Sequence, residues 1–302
     1  MGLAILFILT FHAFLYISAP DLIKDITRTG RIGVDIFLIL SAIGLYFSLK
    51  KKPSLLSFYR KRIIRILPTY FLLALPYFLY TTYTKHSGFI DFLSDITFLT
   101  SLHGGDNPYY FIELILICYL LMPLLFHLSD YQWGRILIIV LSIVCYDWGT
   151  VVEANEGIIN RIPIFAISVV GAKWVYHKAN IPYLEIWALL GMATIIIIST
   201  LIFPFSITAD RISYSLFSIP ILVLVTLFLD SYHLQILKKA LNFCGSITLE
   251  IYMINFPVIA ILTRISDNVY IIVCLTFIIT ITLSYIAHQI IGHLLRKIDL
   301  IS

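Results

Sequence analysis

Long uninterrupted apolar runs set the pattern of this chain, and polar positions mostly fall between them. Ten runs reach or approach the roughly 20 mostly apolar residues that a spanning helix needs: 2–18, 32–49, 66–84, 109–128, 136–152, 163–177, 184–204, 212–230, 247–263 and 269–291. The pattern predicts an all-α integral membrane protein, a bundle of about ten transmembrane helices forming one domain over 1–302. None of the runs alternates with the period of two that marks an outer-membrane barrel strand, which excludes that class. An eleventh apolar stretch, 89–102, is short and carries Asp91 and Asp95. It predicts an interfacial or re-entrant helix between the third and fourth spans. No internal repeat, low-complexity tract or appended soluble domain interrupts the series.

Composition agrees. Hydrophobic residues make up 60% of the 302 and charged residues 13%, against about 25% charged in soluble domains. Mean hydropathy is +0.96. Cys118, Cys145, Cys244 and Cys274 all sit in apolar stretches without Cys-x-x-Cys spacing. They read as small buried hydrophobes, neither a disulfide frame nor a metal site. A net charge of +4 gives no ground for a nucleic-acid partner, and the bilayer is the partner the composition demands.

The basic residues orient the bundle. With the N-terminus in the cytoplasm, Lys50, Lys51, Lys52, Arg60, Lys61, Arg62, Arg65, Arg135, Lys173, Lys178, Lys238, Lys239, Arg296 and Lys297 fall on the inner side. Seven others fall outside, and the two sets account for all 21 Lys and Arg. The two-to-one bias predicts a multi-pass protein of the plasma membrane with both termini cytoplasmic.

Several polar residues lie where a bilayer disfavours them. His12 is ten residues into the first run, roughly 15 Å deep at ~1.5 Å per residue. A histidine at that depth faces the bundle interior and needs a partner. It is either a structural hydrogen-bonding group or a proton-transfer group, since imidazole is suited to proton movement near neutral pH. Asp35 lies near the outer end of the second run, one turn after Arg31, and reads equally as half of a structural ion pair or as a group orienting His12. Glu113 and Asp147 are placed similarly in the fourth and fifth runs. Lys50 to Lys52 fit an ordinary anchor to anionic lipid. Arg62 and Arg65 are three apart, hence on one helix face, and precede Pro68, which a first helical turn tolerates. Their planar forks suit phosphate oxygens, or else they are two more anchoring cations.

In this arrangement the chain resembles the acyltransferase-3 family of membrane acyltransferases. Phe11-His12 is followed by Gly33-Val-Asp-Ile-Phe-Leu-Ile-Leu-Ser41, similar to that family's Gly-x-Asp-x-Phe-Phe-x-Leu-Ser-Gly segment. Phe58-Tyr-Arg-Lys-Arg-Ile-Ile-Arg-Ile-Leu-Pro-Thr-Tyr70 resembles its Arg-x-x-Arg-x-x-Pro-x-Tyr signature. Tyr110-Phe-Ile-Glu followed by Tyr119-Leu-Leu-Met-Pro123, Arg161 to Gly171, and Gly245-Ser-Ile-Thr-Leu-Glu-Ile-Tyr-Met-Ile-Asn255 resemble later blocks. The set, in order, covers essentially the whole chain. Three positions depart from the pattern: Met1 stands where a basic residue is frequent, Ala42 replaces a glycine, and Asn255 replaces the histidine that often closes the ninth-span motif.

The resemblance implies a ten-helix fold that moves an acyl group, usually acetyl, from cytoplasmic acyl-CoA to a hydroxyl of a cell-surface or lipid-linked glycan. It implies a stand-alone enzyme without an esterase-like domain, acyl-CoA as donor and no metal. His12 takes the family's essential histidine position, and Arg62 and Arg65 its arginine pair on the CoA phosphates. Asp35 is expected to support His12, and Glu113 and Tyr110 to contact substrate. His12 then acts either as general base on the acceptor hydroxyl or as a transient acyl carrier. The competing class is an exporter of glycan intermediates. It also needs a polar cavity and cationic rims, but more often shows repeats or paired broken helices.

Overall fold

The computed structural model describes residues 1–15, 20, 23, 27, 29–102, 107–151, 156–178, 181–201, 207–231 and 234–297, without the side chains of 101–102, 146–151, 156–157, 196–201 and 207–213. No strand occurs among the described residues. The principal helices are α1 (Gly2–Leu15), α2 (Ile32–Lys50), α3 (Leu55–Lys85), α4 (Phe89–Ile96), α5 (Tyr110–Ser129), α6 (Gln132–Val151), α7 (Ile162–Tyr176), α8 (Leu184–Leu201), α9 (Ile207–Ser231), α10 (Gln235–Ser246), α11 (Thr248–Ile265) and α12 (Val269–Lys297). The described residues of each of the ten apolar runs are largely helical. Six helical stretches, Thr29–Lys50, Leu55–Lys85, Tyr110–Ser129, Tyr214–Ser231, Thr248–Ile265 and Val269–Lys297, are long and apolar enough to cross a membrane. The stretches Gly2–Leu15, Gln132–Cys145, Ile162–Tyr176 and Leu184–Ile195 are shorter apolar helices. β-Branched sequences such as Ile136-Leu-Ile-Ile-Val140 are mediocre helix formers in water. In an apolar medium the backbone must bond to itself, and that requirement overrides propensity.

The helices group into two compact units. In the first, α11 packs against α1, α3 and α12, and α1 also touches α12. The buried stripe of α1 is Ala4, Ile5, Ile8, Leu9, His12 and Ala13, one helical face by its spacing. In the second unit, α2 packs on α7 and α9, α7 on α6, and α8 on α9. Ile138, Ala166 and Val170 form a core there, flanked by Leu125 and Leu128.

Two expectations change. The third run extends upstream: α3 starts at Leu55 and is 31 residues long, so Pro68 and Pro76 lie inside the helix and not in a first turn. Arg60 to Arg65 ride on this helix, as the three-residue spacing of Arg62 and Arg65 predicts. Apolar bundles tolerate internal prolines because neighbouring groups re-satisfy the freed carbonyls. The 89–102 stretch forms α4 and a further turn, Leu99–Leu102. In α4, Phe92 and Ile96 point inward while Phe89, Ile90 and Leu93 are exposed, and the carboxylate of Asp91 caps the helix by accepting from Gly88 N–H at 2.9 Å.

Helix α12 has inverted polarity. Thr276, Thr280 and Ser284 recur every four residues and are wholly buried, whereas Ile278, Leu283, Tyr285, Ile286 and Ile290 are exposed. A helix with small hydroxyls inward and large aliphatics outward is suited to lipid, the small inward residues allowing close packing.

Close backbone approach fixes α1. A Cβ on Gly30 would lie 2.4 Å from the Phe7 carbonyl oxygen and 2.9 Å from Phe11 Cβ. The short turn Thr29–Arg31 thus lies directly along α1, and the Arg31 guanidinium sits 5.0 Å from the centre of the Phe11 ring. Gly30→Ala is expected to destabilise the protein by about 1–3 kcal/mol, as overpacking does. Gly44→Ala, with nothing within 4 Å of its Cβ position, is expected to be neutral. Thermal unfolding in detergent compares the two.

Candidate functional site

The first unit holds a histidine built into its core. His12 is 6% exposed and lies on the inward stripe of α1. Its Nδ1 is 3.0 Å from Oδ1 of Asn255, a fully buried residue of α11. The two are 243 residues apart in sequence, and their pairing joins the first helix to the penultimate one.

Asn255 determines which ring nitrogen carries the proton. Its Nδ2 donates to the carbonyls of Ile251, at 3.1 Å, and Tyr252. The amide nitrogen is thereby committed to its own helix, and Oδ1, an acceptor only, is the atom that meets His12. Nδ1 of His12 is therefore the N–H donor, and Nε2 carries the lone pair. That is the arrangement required of a base or nucleophile: one nitrogen fixed, the other basic.

Around the imidazole the walls are aromatic. The Phe256 ring lies 4.4 Å from the His12 ring, centre to centre, with Phe11 at 5.5 Å and Tyr252 at 6.3 Å. Tyr252, Asn255 and Phe256 share a face of α11 by their i, i+3, i+4 spacing. Hydrogen bonds tie this face to the start of α5: Tyr252 Oη donates to Pro108 O at 2.7 Å, and Tyr109 Oη donates to Met253 O at 3.2 Å. Farther out, Asn107 Nδ2 donates to Asp95 O at 2.9 Å and Tyr70 Oη to Ile96 O at 3.0 Å. The wall behind His12 is thus anchored from α3, α4, α5 and α11, which restrains the ring from both sides.

The cationic cluster lies in the same unit. Arg62 is half-buried. Its guanidinium stacks 4.0 Å from the centre of the Phe58 ring, and Nη1 donates to Phe58 O at 2.9 Å. Arg65, one turn on, is exposed. Of the two, Arg62 is held in a defined orientation. Tyr110 is half-buried at the start of α5.

The second unit has its own buried ion pair. Asp35, wholly buried on α2, accepts from Nη1 of Arg161 at 2.9 Å. Arg161 is the residue just before α7 and is 3% exposed. The orienting role that sequence reasoning considered for Asp35 belongs, at His12 Nδ1, to Asn255. Glu113 is also buried in this unit. The side chain of Asp147 lies outside the described residues.

Sequence reasoning noted Asn255 only as a departure from a motif and did not count it as a site residue. The signal was available, because a carboxamide in the middle of an apolar run implies a partner on another helix. Glu250 was also passed over. It is 5% exposed and takes a hydrogen bond from Nδ1 of His288, on α12, at 2.8 Å.

A polytopic helical protein arranged around a buried, tautomer-fixed histidine, with arginines on one adjoining helix, has the parts of a membrane group-transfer enzyme. The acyltransferase-3 family model, described as an acyltransferase domain, matches residues 2–289, and the chain belongs to that family. No curated protein and no solved structure matches the chain significantly. Family and fold together make it a membrane acyltransferase.

The Asp35–Arg161 pair generates a stability test. Arg161→Met leaves a buried carboxylate uncompensated and is expected to cost about 3–5 kcal/mol. Arg161→Met with Asp35→Leu removes both charges and should recover most of that loss. A double-mutant cycle in thermal unfolding measures it; additive losses would deny the pair its role.

Proposed function

We propose that this protein transfers an acyl group, acetyl in the simplest case, from acyl-CoA on the cytoplasmic side to a hydroxyl of a cell-surface or lipid-linked glycan. The reading includes ten spans, both termini in the cytoplasm and residence in the plasma membrane. Its main support is the orientation of His12 by Asn255, which leaves Nε2 as the basic nitrogen. The family supports the reaction class, and the apolar helices with their cationic bias favour this topology.

In this mechanism Nε2 of His12 accepts the proton of the acceptor hydroxyl as its oxygen attacks the thioester carbonyl. The C–O bond forms, the C–S bond breaks, and Nε2 returns the proton to the departing sulfur. The products are an O-acyl ester and the free thiol, with no net proton consumed. Asn255 keeps Nδ1–H engaged throughout. Arg62, braced on Phe58, and Arg65 receive the CoA phosphates. The fit rests on chemistry: both guanidiniums lie on one helix face, and phosphate takes two-pronged donors. Asp35 serves this reading by fixing α2 to α7, and Glu113 and Tyr110 by contacting the acceptor.

His12→Ala is expected to lower transfer by 10²–10⁴-fold, the usual worth of a general base, while the protein still folds. Asn255→Leu, which frees the tautomer, is expected to lose roughly tenfold in kcat, the worth of one hydrogen bond, with little change in KM for acetyl-CoA. The assay is acceptor-dependent release of CoA thiol by purified protein, with mass spectrometry of surface glycans from cells with and without the gene. Full activity in His12→Ala would sink the assignment.

The arginines have a separate test. Arg62→Lys and Arg65→Lys keep the charge but lose the fork. Each is expected to weaken acyl-CoA by roughly ten- to a hundredfold, from about 1.5–3 kcal/mol per charge-assisted bond. Lys51→Gln should change it little, since a surface anchor contributes only about 1 kcal/mol. Saturation kinetics in detergent decide; equal, small effects at all three positions would make the cluster an anchor only.

A further inference from the structure

Away from His12, the second unit contains a cavity of about 220 Å³ lined by Arg135, Val170, Lys173, Trp174 and His177. It lies between the beginning of α6, which supplies Arg135, and the end of α7, which supplies Val170, Lys173 and Trp174, with His177 just beyond. Every charged residue lining it is basic. The start of one helix and the end of the other bring their cations to the same half-open cavity. Both Arg135 and Lys173 are half-buried there.

The position of Arg135 is unexplained by helix energetics. It is the fourth residue of α6, where the helix macrodipole disfavours a cation and favours an anion. Its guanidinium is nonetheless held in place, with Nη1 donating to Ser129 O at 3.2 Å. Lys173, in the last turn of α7, has a favourable dipole term. A bound anion between the two would balance Arg135 as well and would take donors from both helices.

The walls indicate which anion. Val170 closes the cavity on the core side, while Trp174 is 64% exposed. On α6, Ile136, Leu137, Ile139 and Val140 follow Arg135 with their side chains exposed. A tryptophan at the rim of an apolar surface is the side chain that marks headgroup level. The site therefore offers charge at one end and a lipid-facing apolar track at the other. A soluble phosphate would use only the first.

We propose that this cavity binds the phosphate of an anionic phospholipid, with Arg135 and Lys173 as the principal donors and the acyl chains lying along α6. His177 adds a third donor when protonated. Nothing in this depends on the acyl-transfer reading of His12.

The test is native mass spectrometry and thermal unfolding of purified protein titrated with phosphatidylglycerol, phosphatidylcholine, inorganic phosphate or CoA. The wild type is expected to retain one phosphatidylglycerol and to gain thermal stability from it, but not from phosphatidylcholine or inorganic phosphate. Arg135→Gln with Lys173→Gln should weaken phosphatidylglycerol by about tenfold or more, the loss of two charge-assisted bonds. Lys51→Gln with Lys52→Gln removes the same charge elsewhere and should leave the tight lipid intact. Arg135→Lys with Lys173→Arg keeps the charge and guards against misfolding; it should bind better than the Gln pair. Equal losses in the two Gln pairs would reduce the effect to general surface charge and overturn the site. Binding of CoA or inorganic phosphate that depends on Arg135 and Lys173, without lipid, would overturn the lipid assignment.

Discussion

A polar side chain inside an apolar helix bundle has no water to fall back on, and it bonds either to its own backbone or to another helix. That constraint decides which helices of this protein touch and at what height. His12 with Asn255 joins α1 to α11. Glu250 with His288 joins α11 to α12. Asp35 with Arg161 joins α2 to the start of α7. Apolar contacts surround each pair but specify little, because a face of Ile and Leu packs almost equally well one turn higher or lower. The polar pairs remove that freedom, since a slip of one turn would strand a donor and an acceptor in a medium that cannot solvate them.

The same constraint separates the three pairs by function. Asp35 and Arg161 face each other as full charges and are almost wholly shielded, 0% and 4% exposed at the side chain. Such a pair gives specificity of fit more than stability. His12 and Asn255 are both uncharged in the arrangement described, and the partnership consumes only one of the two ring nitrogens. A structural histidine of comparable burial would be expected to have both nitrogens engaged by its surroundings. Here the near neighbours are the faces and edges of Phe11, Tyr252 and Phe256. The imidazole is held through Nδ1, and Nε2 takes no part in that bond.

The ten helices could be read from the sequence because lipid solvation leaves a coarse record: runs of apolar residues of the right length, broken by charge. The record is coarse at its edges. Leu55 to Arg65 carries four cations and so fell outside the apolar run, yet it continues α3 without a break. Charged residues with long stems are good helix formers, and hydropathy does not register that. His12 and the arginine pair stood out because single polar residues in apolar runs are conspicuous. The partners of His12 and Asp35 did not, because Asn255 and Arg161 lie 243 and 126 residues from the groups they serve. Sequence distance of that size leaves no periodic trace. Thr276, Thr280 and Ser284 were invisible for another reason: hydroxyls are mild enough on any hydropathy scale to pass as part of a span.

The amide at position 255 has one more implication. A carboxamide neither takes up nor releases a proton anywhere in the range in which proteins fold, so the clamp on His12 has a single setting. A histidine or a carboxylate in that place would make the site a coupled pair, with two macroscopic titrations shared between the partners. With asparagine there, acidification acts on the imidazole itself, and the hold on Nδ1–H persists in either protonation state of the ring. The site is thereby insulated from a fluctuating environment on its orienting side.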